Sequence, residues 1–379
     1  MRRASEAQRQ RLHQTFSELC RIESPSGHER VCADRVAREL RQMGLEVEED
    51  EAGSSAGSDA GNLLARVAGR AEQTIMLCAH LDTVPPTAPI EPLLDDGHWI
   101  NANPGILGAD NKAAVAVLLE LTRALLSAGE DPEVGVELLF TVSEENGLHG
   151  AKAFDVTKLR SHVGFVFDHA SPIGEIVVAS PTYHRVVASF HGRSAHAGIR
   201  PEDGRSAIAA AARAIASMTL GRLDTETTSN VGLISGGTAA NVVPEYCRVE
   251  GEVRSVSDAR AEQVVTEFVD SCQDAADAGE CDLDVTVELM FRGYRTKSRT
   301  VQVELAERAL RVCGYEPRQI VTGGGSDANA FEANGFPCTN LANGTERNHQ
   351  PDERVSTEAL EGMLEVAFAL VEEAGRGEG

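Results

Sequence analysis

The chain has 379 residues, 42% of them hydrophobic and 25% charged. That is the composition of a folded globular protein, at a length beyond one ordinary core, so two domains are expected. A formal charge of −24 lacks the basic patches that phosphate backbones require, which excludes nucleic-acid partners. No apolar run approaches the ~20 residues that span a bilayer, and no membrane partner is expected.

The N-terminal stretch "MRRASEAQRQRLHQTFSELC" is basic at its start but has no apolar h-region. It reads as the opening of an amphipathic helix and not as a secretory signal. The eight cysteines are scattered without a CxxC, which fits reduced, buried thiols and a cytoplasmic location. Helical periodicity over 7–43 is interrupted at "ESPSGHER" by the turn residues Pro25 and Gly27. Next, "GLEVEEDEAGSSAGSDAGNLLARVAG" reads as strand, small-residue loop and strand, with the loop at 52–61 expected to be mobile. "TIMLCAHLD" (74–82) is an apolar run ending in polar residues, the pattern of a buried strand whose C-terminal end opens onto a site. A strong helical pattern covers 111–129, with Asp110 placed as its N-cap. Buried strands follow at 134–143 and 163–168, and strands alternating with helices indicate an open α/β sheet.

Near residue 180 the pattern changes. A strand, a helix (204–218), two strands, a helix (258–277) and a strand succeed one another, the β-α-β-β-α-β order of a ferredoxin-like module. Beyond it come a helix (300–313), glycine-rich loops, short strands and a closing helix (356–374). The expected organisation is a discontinuous α/β domain, 1–180 with 292–379, interrupted by a smaller α+β domain over 181–291. The larger domain is expected to carry helices on both faces of an open mixed sheet.

Ionisable residues recur where the strands of that sheet end: His80 and Asp82, Asp110, the pair Glu144 and Glu145, and Asp168. His349 joins them from the late loop "NGTERNHQPDERV". Ligands in open α/β sheets bind outside the carboxyl ends of the strands. Carboxylates converging there repel one another unless cations neutralise them. Two imidazoles with three carboxylates suit a pair of borderline divalent ions such as zinc. A carboxylate shared between two ions would hold them ~3.5–4 Å apart, an arrangement used for hydrolysis. Alternate strand residues face the same way, so Asp82 is placed to hold the ring of His80.

The segments "CAHLDTVPP", "GILGADNKAAVAVLLE", "FTVSEENGLHGAK", "VFDHA", "HGRSAHAGIRPEDGRSAI", "GGTAANVVPE", "GEVRS", "GGGSDANAFEANGFP" and "NGTERNHQPDERV" stand in this order between about 60 and 355. Together they resemble the M20 dinuclear zinc metallopeptidases, and within them the peptidase T-like (tripeptidase-like) branch. The resemblance implies a zinc-peptidase-like catalytic domain, with the 181–291 insert as a lid and dimerisation domain. It implies two Zn2+ per chain, replaceable by Mn2+ or Co2+. His80, Asp110 and Asp168 would hold one ion and Asp110, Glu145 and His349 the other, with Asp110 bridging. Glu144 would be the general base that activates the metal-bound water, and Asp82 would orient His80. His196 would reach the partner subunit's site in a homodimer and stabilise the oxyanion. Asn241 and Arg254 would bind the substrate's carboxylate or backbone, and Gly325 and Ser326 would line the substrate cleft.

The implied activity is hydrolysis of peptide bonds in short peptides, in the manner of a tripeptidase or aminopeptidase. The same metal site serves M20-type amidohydrolases and carboxypeptidases acting on N-acyl amino acids or related amides, which is the alternative within hydrolases. A non-catalytic binding or scaffold relative is the remote alternative; the presence of every ligand position and of the base stands against it. Both carboxylates of the Glu144–Glu145 pair can face the ions if a turn starts at Ser143 and Gly147 eases it. His28, His149, His169, His184 and His191 fit no ligand position. "TGGGSD" (322–327) lacks the Lys and Ser/Thr of a phosphate loop.

Overall fold

The computed structural model describes residues 3–376; the first two residues of the expected N-terminal helix and the last three of the closing segment lie outside the described residues. The chain divides into two compact units. One runs to Val178 and resumes over Thr296–Ile320 and again from Ser326; the other is Ala179–Arg295 with Val321–Gly325. The segment Val321–Gly325, expected with the larger domain, groups with the smaller unit. Thr322 N donates to Ala179 O at 3.0 Å, and Ser180 Oγ donates to Gly324 O at 2.8 Å.

The larger unit is built on a mixed sheet. Seven of its nine strands are, in spatial order, Val47–Glu49, Leu63–Val67, Gly135–Thr141, Thr74–His80, Val163–His169, Cys338–Ala342 and Glu175–Ser180; the short Tyr294–Arg295 and Arg318–Val321 both pair with the last. The four from Gly135–Thr141 to Cys338–Ala342 run parallel, and antiparallel strands flank them. The parallel strands are covered on both faces, so they read as unbroken apolar runs such as Ile75 to Ala79 and Leu138 to Phe140. The helix Ala109–Leu126 is buried along almost its whole length and packs against the helices Glu6–Cys20 and Thr357–Gly375 and the strand Thr74–His80. An all-round apolar helix needs such enclosure. Because the four parallel strands point the same way, whatever follows each of them gathers along one edge.

Two local expectations are revised, and one element was missed. Residues 52–61 contain the short helix Ala52–Ala56, with Gly53 and Ala56 buried, and a Cβ on Gly61 would stand 2.0 Å from Asp50 O. The small residues there answer close packing, not mobility. The helix opens two residues before the expected N-cap, at Gly108 with φ +75°, and kinks at Asp110 and Asn111, which depart from helical φ/ψ. A hairpin at Pro92–Asp95 and His98–Asn101 escaped the sequence reading, although "DDGH" carries an Asp-Gly turn signal. It forms a small sheet with Arg354–Ser356 and Thr345–Glu346; Trp99 pairs with Val355. The loop bearing His349 is pinned at both ends by that sheet.

The smaller unit has an antiparallel sheet in the order Gly221–Arg222, Thr227–Gly236, Tyr246–Ser255, Thr182–His191, Asp282–Phe291. The helices Ala207–Ser217 and Asp258–Ala278 pack on it over a core that includes Val186, Phe190, Val249 and Phe268. Apart from the two-residue strand Gly221–Arg222, the chain order is the expected strand-helix-strand-strand-helix-strand. No helix among the described residues is long and apolar enough to cross a membrane. All eight cysteines are free thiols, seven of them buried.

Candidate metal centre

The turn after the strand Gly135–Thr141 builds one side of the site. Ser143 takes φ +53°, Gly147 +107° and Leu148 +64°, so the chain reverses tightly. Gly147 N and Leu148 N both donate to Glu144 O at 2.8 Å. Two buried carboxylates hold the turn from below. Glu29 Oε1 accepts Ser143 N at 3.0 Å. Asp82 accepts Glu144 N at 3.0 Å and Glu145 N at 3.1 Å, together with the Ser26 hydroxyl at 2.6 Å. With its backbone held this way, the turn presents both glutamates on the same side: one oxygen each of Glu144 and Glu145 and one nitrogen of His80 lie within 4.8 Å of one another.

The Asp82 carboxylate is therefore occupied mainly with that turn. The nearest acceptor for His80 Nδ1 is the backbone carbonyl of Asp82 at 3.0 Å, and the carboxylate oxygen is at 3.4 Å. A proton on Nδ1, facing this carbonyl, leaves Nε2 as a lone pair. His80 Nε2 stands 3.3 Å from Asp110 Oδ1 and 3.4 Å from Asp168 Oδ1. Asp168 comes from the end of its strand, where its amide donates to Asn340 Oδ1 at 2.9 Å. On the other side of Asp110, His349 Nε2 is 3.3 Å from Oδ2 and 2.9 Å from Glu145 Oε1. Asn348 Nδ2 donates to the same Asp110 oxygen at 2.8 Å.

The two oxygens of Asp110 thus face different imidazoles. His80 Nε2 and Asp110 Oδ1 are both buried with no hydrogen-bond partner, whereas buried polar atoms are normally matched. Ligands ~2.0–2.1 Å from a tetrahedral ion stand about 3.3 Å from one another. The spacing of this N/O donor set fits two divalent cations, one among His80, Asp110 and Asp168 and one among Asp110, Glu145 and His349.

Electrostatics agree with that fit. Burial pushes the carboxyls of Asp168 and Glu144 well above the usual range, and each is raised further by neighbouring acids. Burial likewise raises Glu145, against the opposing bond from His349. Bonds to Asp110 and Glu145 lift His349 to about 10. His80 is raised well above the ordinary imidazole value, because Asp168, Asp110 and Asp82 overcome the burial that opposes its charge. Without added cations, protons supply the positive charge that so many carboxylates demand.

The remaining expected residues lie elsewhere. His196, Asn241, Arg254 and Gly325 belong to the smaller unit, and Ser326 to the larger. His196 is exposed; its Nδ1 accepts from Gly198 N at 3.2 Å, which keeps the proton on Nε2, and Ala197 N donates to Asn241 O at 3.0 Å. Arg254 lies over the Tyr183 ring at 4.2 Å and pairs with Glu252 at 3.1 Å. A Cβ on Gly325 would meet the Phe291 ring at 2.2 Å. Ser326 is buried at the N-cap of the short helix Asp327–Ala333. Sequence reasoning missed Glu29, Ser26, Asn348, Asp327 and Glu353. Their only signal was a charged or polar residue in a loop or at a helix start, and such places are full of them.

A mixed sheet with imidazoles and carboxylates gathered at the carboxyl ends of its parallel strands defines an α/β protein with a candidate cation site along one edge. Residues 76–373 match Peptidase family M20/M25/M40. The chain is 36% identical over 368 residues to the uncharacterized protein YqjE of Bacillus subtilis strain 168, covering 97% of this chain and 99% of that one. It superposes on the aminopeptidase PepT of Bacillus cereus ATCC 10987 with a TM-score of 0.85 and 36% identity, over 97% and 98% of the two chains. It superposes on a tripeptidase of Staphylococcus aureus subsp. aureus Mu50 with a TM-score of 0.91 and 32% identity, over 97% and 99%. The chain belongs to peptidase family M20/M25/M40, in its peptidase T-like branch, and is a peptidase hydrolase.

Proposed function

We propose that the protein hydrolyses peptide bonds in short peptides, as a tripeptidase or aminopeptidase, with two Zn2+ per chain (Mn2+ or Co2+ as substitutes) and Glu144 as general base. The observation that carries this reading is the two-sided contact of Asp110, one carboxylate oxygen toward His80 and the other toward His349. His80, Asp110 and Asp168 would hold one ion; Asp110, Glu145 and His349 would hold the other. Bound there, the cations would supply Lewis acidity toward a water molecule and the scissile carbonyl. Glu144 is buried beside the cluster; outside the two proposed ligand sets, its carboxylate would take a proton from the attacking water and return it to the leaving amine. Asp82 holds the Glu144 and Glu145 amides and thereby aims both side chains.

For the smaller unit the proposal is a lid and dimerisation role. His196, with its proton on Nε2, would donate to the developing oxyanion in the site of the other subunit. Asn241 and Arg254 would hold the substrate's carboxylate or backbone, and Gly325 and Ser326 would line its cleft.

The test is a screen of di- and tripeptides, with N-acyl amino acids included, using protein reconstituted with Zn2+, Mn2+ or Co2+. Turnover of the acyl amino acids in preference to peptides would move the assignment to the amidohydrolases. Glu144→Ala is expected to lower kcat by about 10²–10⁴-fold while two metal equivalents stay bound. Glu145→Ala is expected to lose metal. Near-normal turnover by Glu144→Ala would remove the general base from the mechanism.

A further inference from the structure

Glu353 carries a carboxylate into an enclosed place, with an exposure of 2%. It accepts three backbone N–H groups from one short loop: Leu107 and Gly108 on Oε2, both at 2.8 Å, and Asp110 on Oε1 at 2.9 Å. That loop delivers Asp110 between the two imidazoles. The segment bearing Glu353 reaches Asp110 a second time, through Asn348 Nδ2 on the carboxylate at 2.8 Å. A single stretch, 348–353, therefore supplies His349 and holds Asp110 by both its amide and its side chain. The stretch is itself anchored: Arg354–Ser356 pairs with His98–Asn101, and Glu353 N donates to Gln350 O at 3.1 Å.

We propose that Glu353 is a positioning residue for the metal centre, whose carboxylate fixes the amide of Asp110 and so the separation of Asp110 from His349. The proposal rests on the reading that Asp110 is shared between two ions. The chemistry calls for a carboxylate. Two carboxyl oxygens offer enough lone pairs for three N–H groups, whereas a glutamine has one acceptor oxygen and turns its NH2 toward a donor. An aspartate keeps both oxygens but is one methylene shorter. Partners behind a metal ligand typically govern ion affinity by about 10–100-fold. The competing account is structural only: Glu353 would satisfy the free N–H groups at the start of the helix Ala109–Leu126, and its loss would loosen the fold without a particular effect on ions.

The experiment uses full-length protein, metal-free, titrated with Zn2+ in competition with a chromophoric chelator. Wild type is expected to bind two equivalents. Glu353→Gln is expected to bind one of them about 10–100-fold more weakly, and Glu353→Asp to recover part of the loss. At limiting Zn2+ the Gln variant should lose kcat, regain it at saturating Zn2+, and keep its KM. Wild type that takes up fewer than two equivalents overturns the shared-ion reading and this proposal with it. Wild type that binds two, alongside a Gln variant that binds both as tightly, overturns this proposal alone, whatever happens to thermal stability. Should the variants not fold, hydrogen exchange on metal-free wild type decides. Protection of the Leu107, Gly108 and Asp110 amides supports the pre-set loop, and exchange at the rate of open loops refutes it.

Discussion

Asp327 is fully enclosed beside Thr141 and Cys78; Thr141 donates to its Oδ2, and Oδ1 has no partner. Burial pushes its carboxyl up to about 6 from an ordinary 3.8. Between those two values the folded chain keeps a proton that the unfolded chain has released. Stability therefore falls as pH rises through this window, and the full cost is present above it. Every tenfold difference in proton affinity between the folded and unfolded chain is worth about 1.4 kcal/mol. Asp327→Asn keeps an acceptor for Thr141 and removes the charge. Chemical denaturation of metal-free protein at pH 4 and pH 7 should show the variant more stable than wild type at pH 7 only, by on the order of 3 kcal/mol. An equal difference at both pH values would place the effect in packing. Asp327 ends the motif "GGGSD", and the sequence offered no reason to separate it from an ordinary helix-start acid. Its burial is a property of the strands on either side of it.

The turn 142–150 shows how a local element aims two acids at once. A strand alone would send Glu144 and Glu145 to opposite faces. The left-handed Ser143 and the Asp82 carboxylate turn them to one side instead. Gly150 closes the turn where a Cβ would stand 2.2 Å from Val142 O and 2.6 Å from Asn62 Oδ1. Gly150→Ala must push the backbone aside. It is expected to destabilise the protein by about 1–3 kcal/mol and to weaken metal binding together with activity, read from the urea midpoint and from Zn2+ stoichiometry. A midpoint within error of wild type would mean that the turn tolerates the displacement. The turn itself was legible, because a doubled acid after a buried strand and before glycine is local information. The His98–Asn101 strand went unread although its Asp-Gly turn is a local signal; that it clamps the His349 loop depends on pairing with residues some 250 positions away.

The two compact units divide the expected residues: ion ligands and base in one, His196, Asn241 and Arg254 in the other. If His196 acts across a subunit boundary, as proposed, His196→Ala and Glu144→Ala are each inactive as homodimers. Mixed and allowed to exchange, they should regain activity that neither shows alone, since a hybrid dimer holds one site with both residues intact. Sedimentation would establish the dimer, and a mixture without activity despite exchange would place His196 in its own subunit's site. The class of fold follows from periodicity, and polar residues at strand ends mark the site's edge, both short-range patterns in the chain; the proposed ligand set came from the motif resemblance. What the chain alone left open is how those residues are aimed. Asp82 reaches Glu144 across 62 positions, and Glu353 reaches Leu107 across 246. Such side-chain bonds to distant backbone N–H groups leave no periodic trace. Only the folded sheet, by bringing four strand ends to one edge, decides which buried carboxylates face the candidate ion sites and which hold the loops around them.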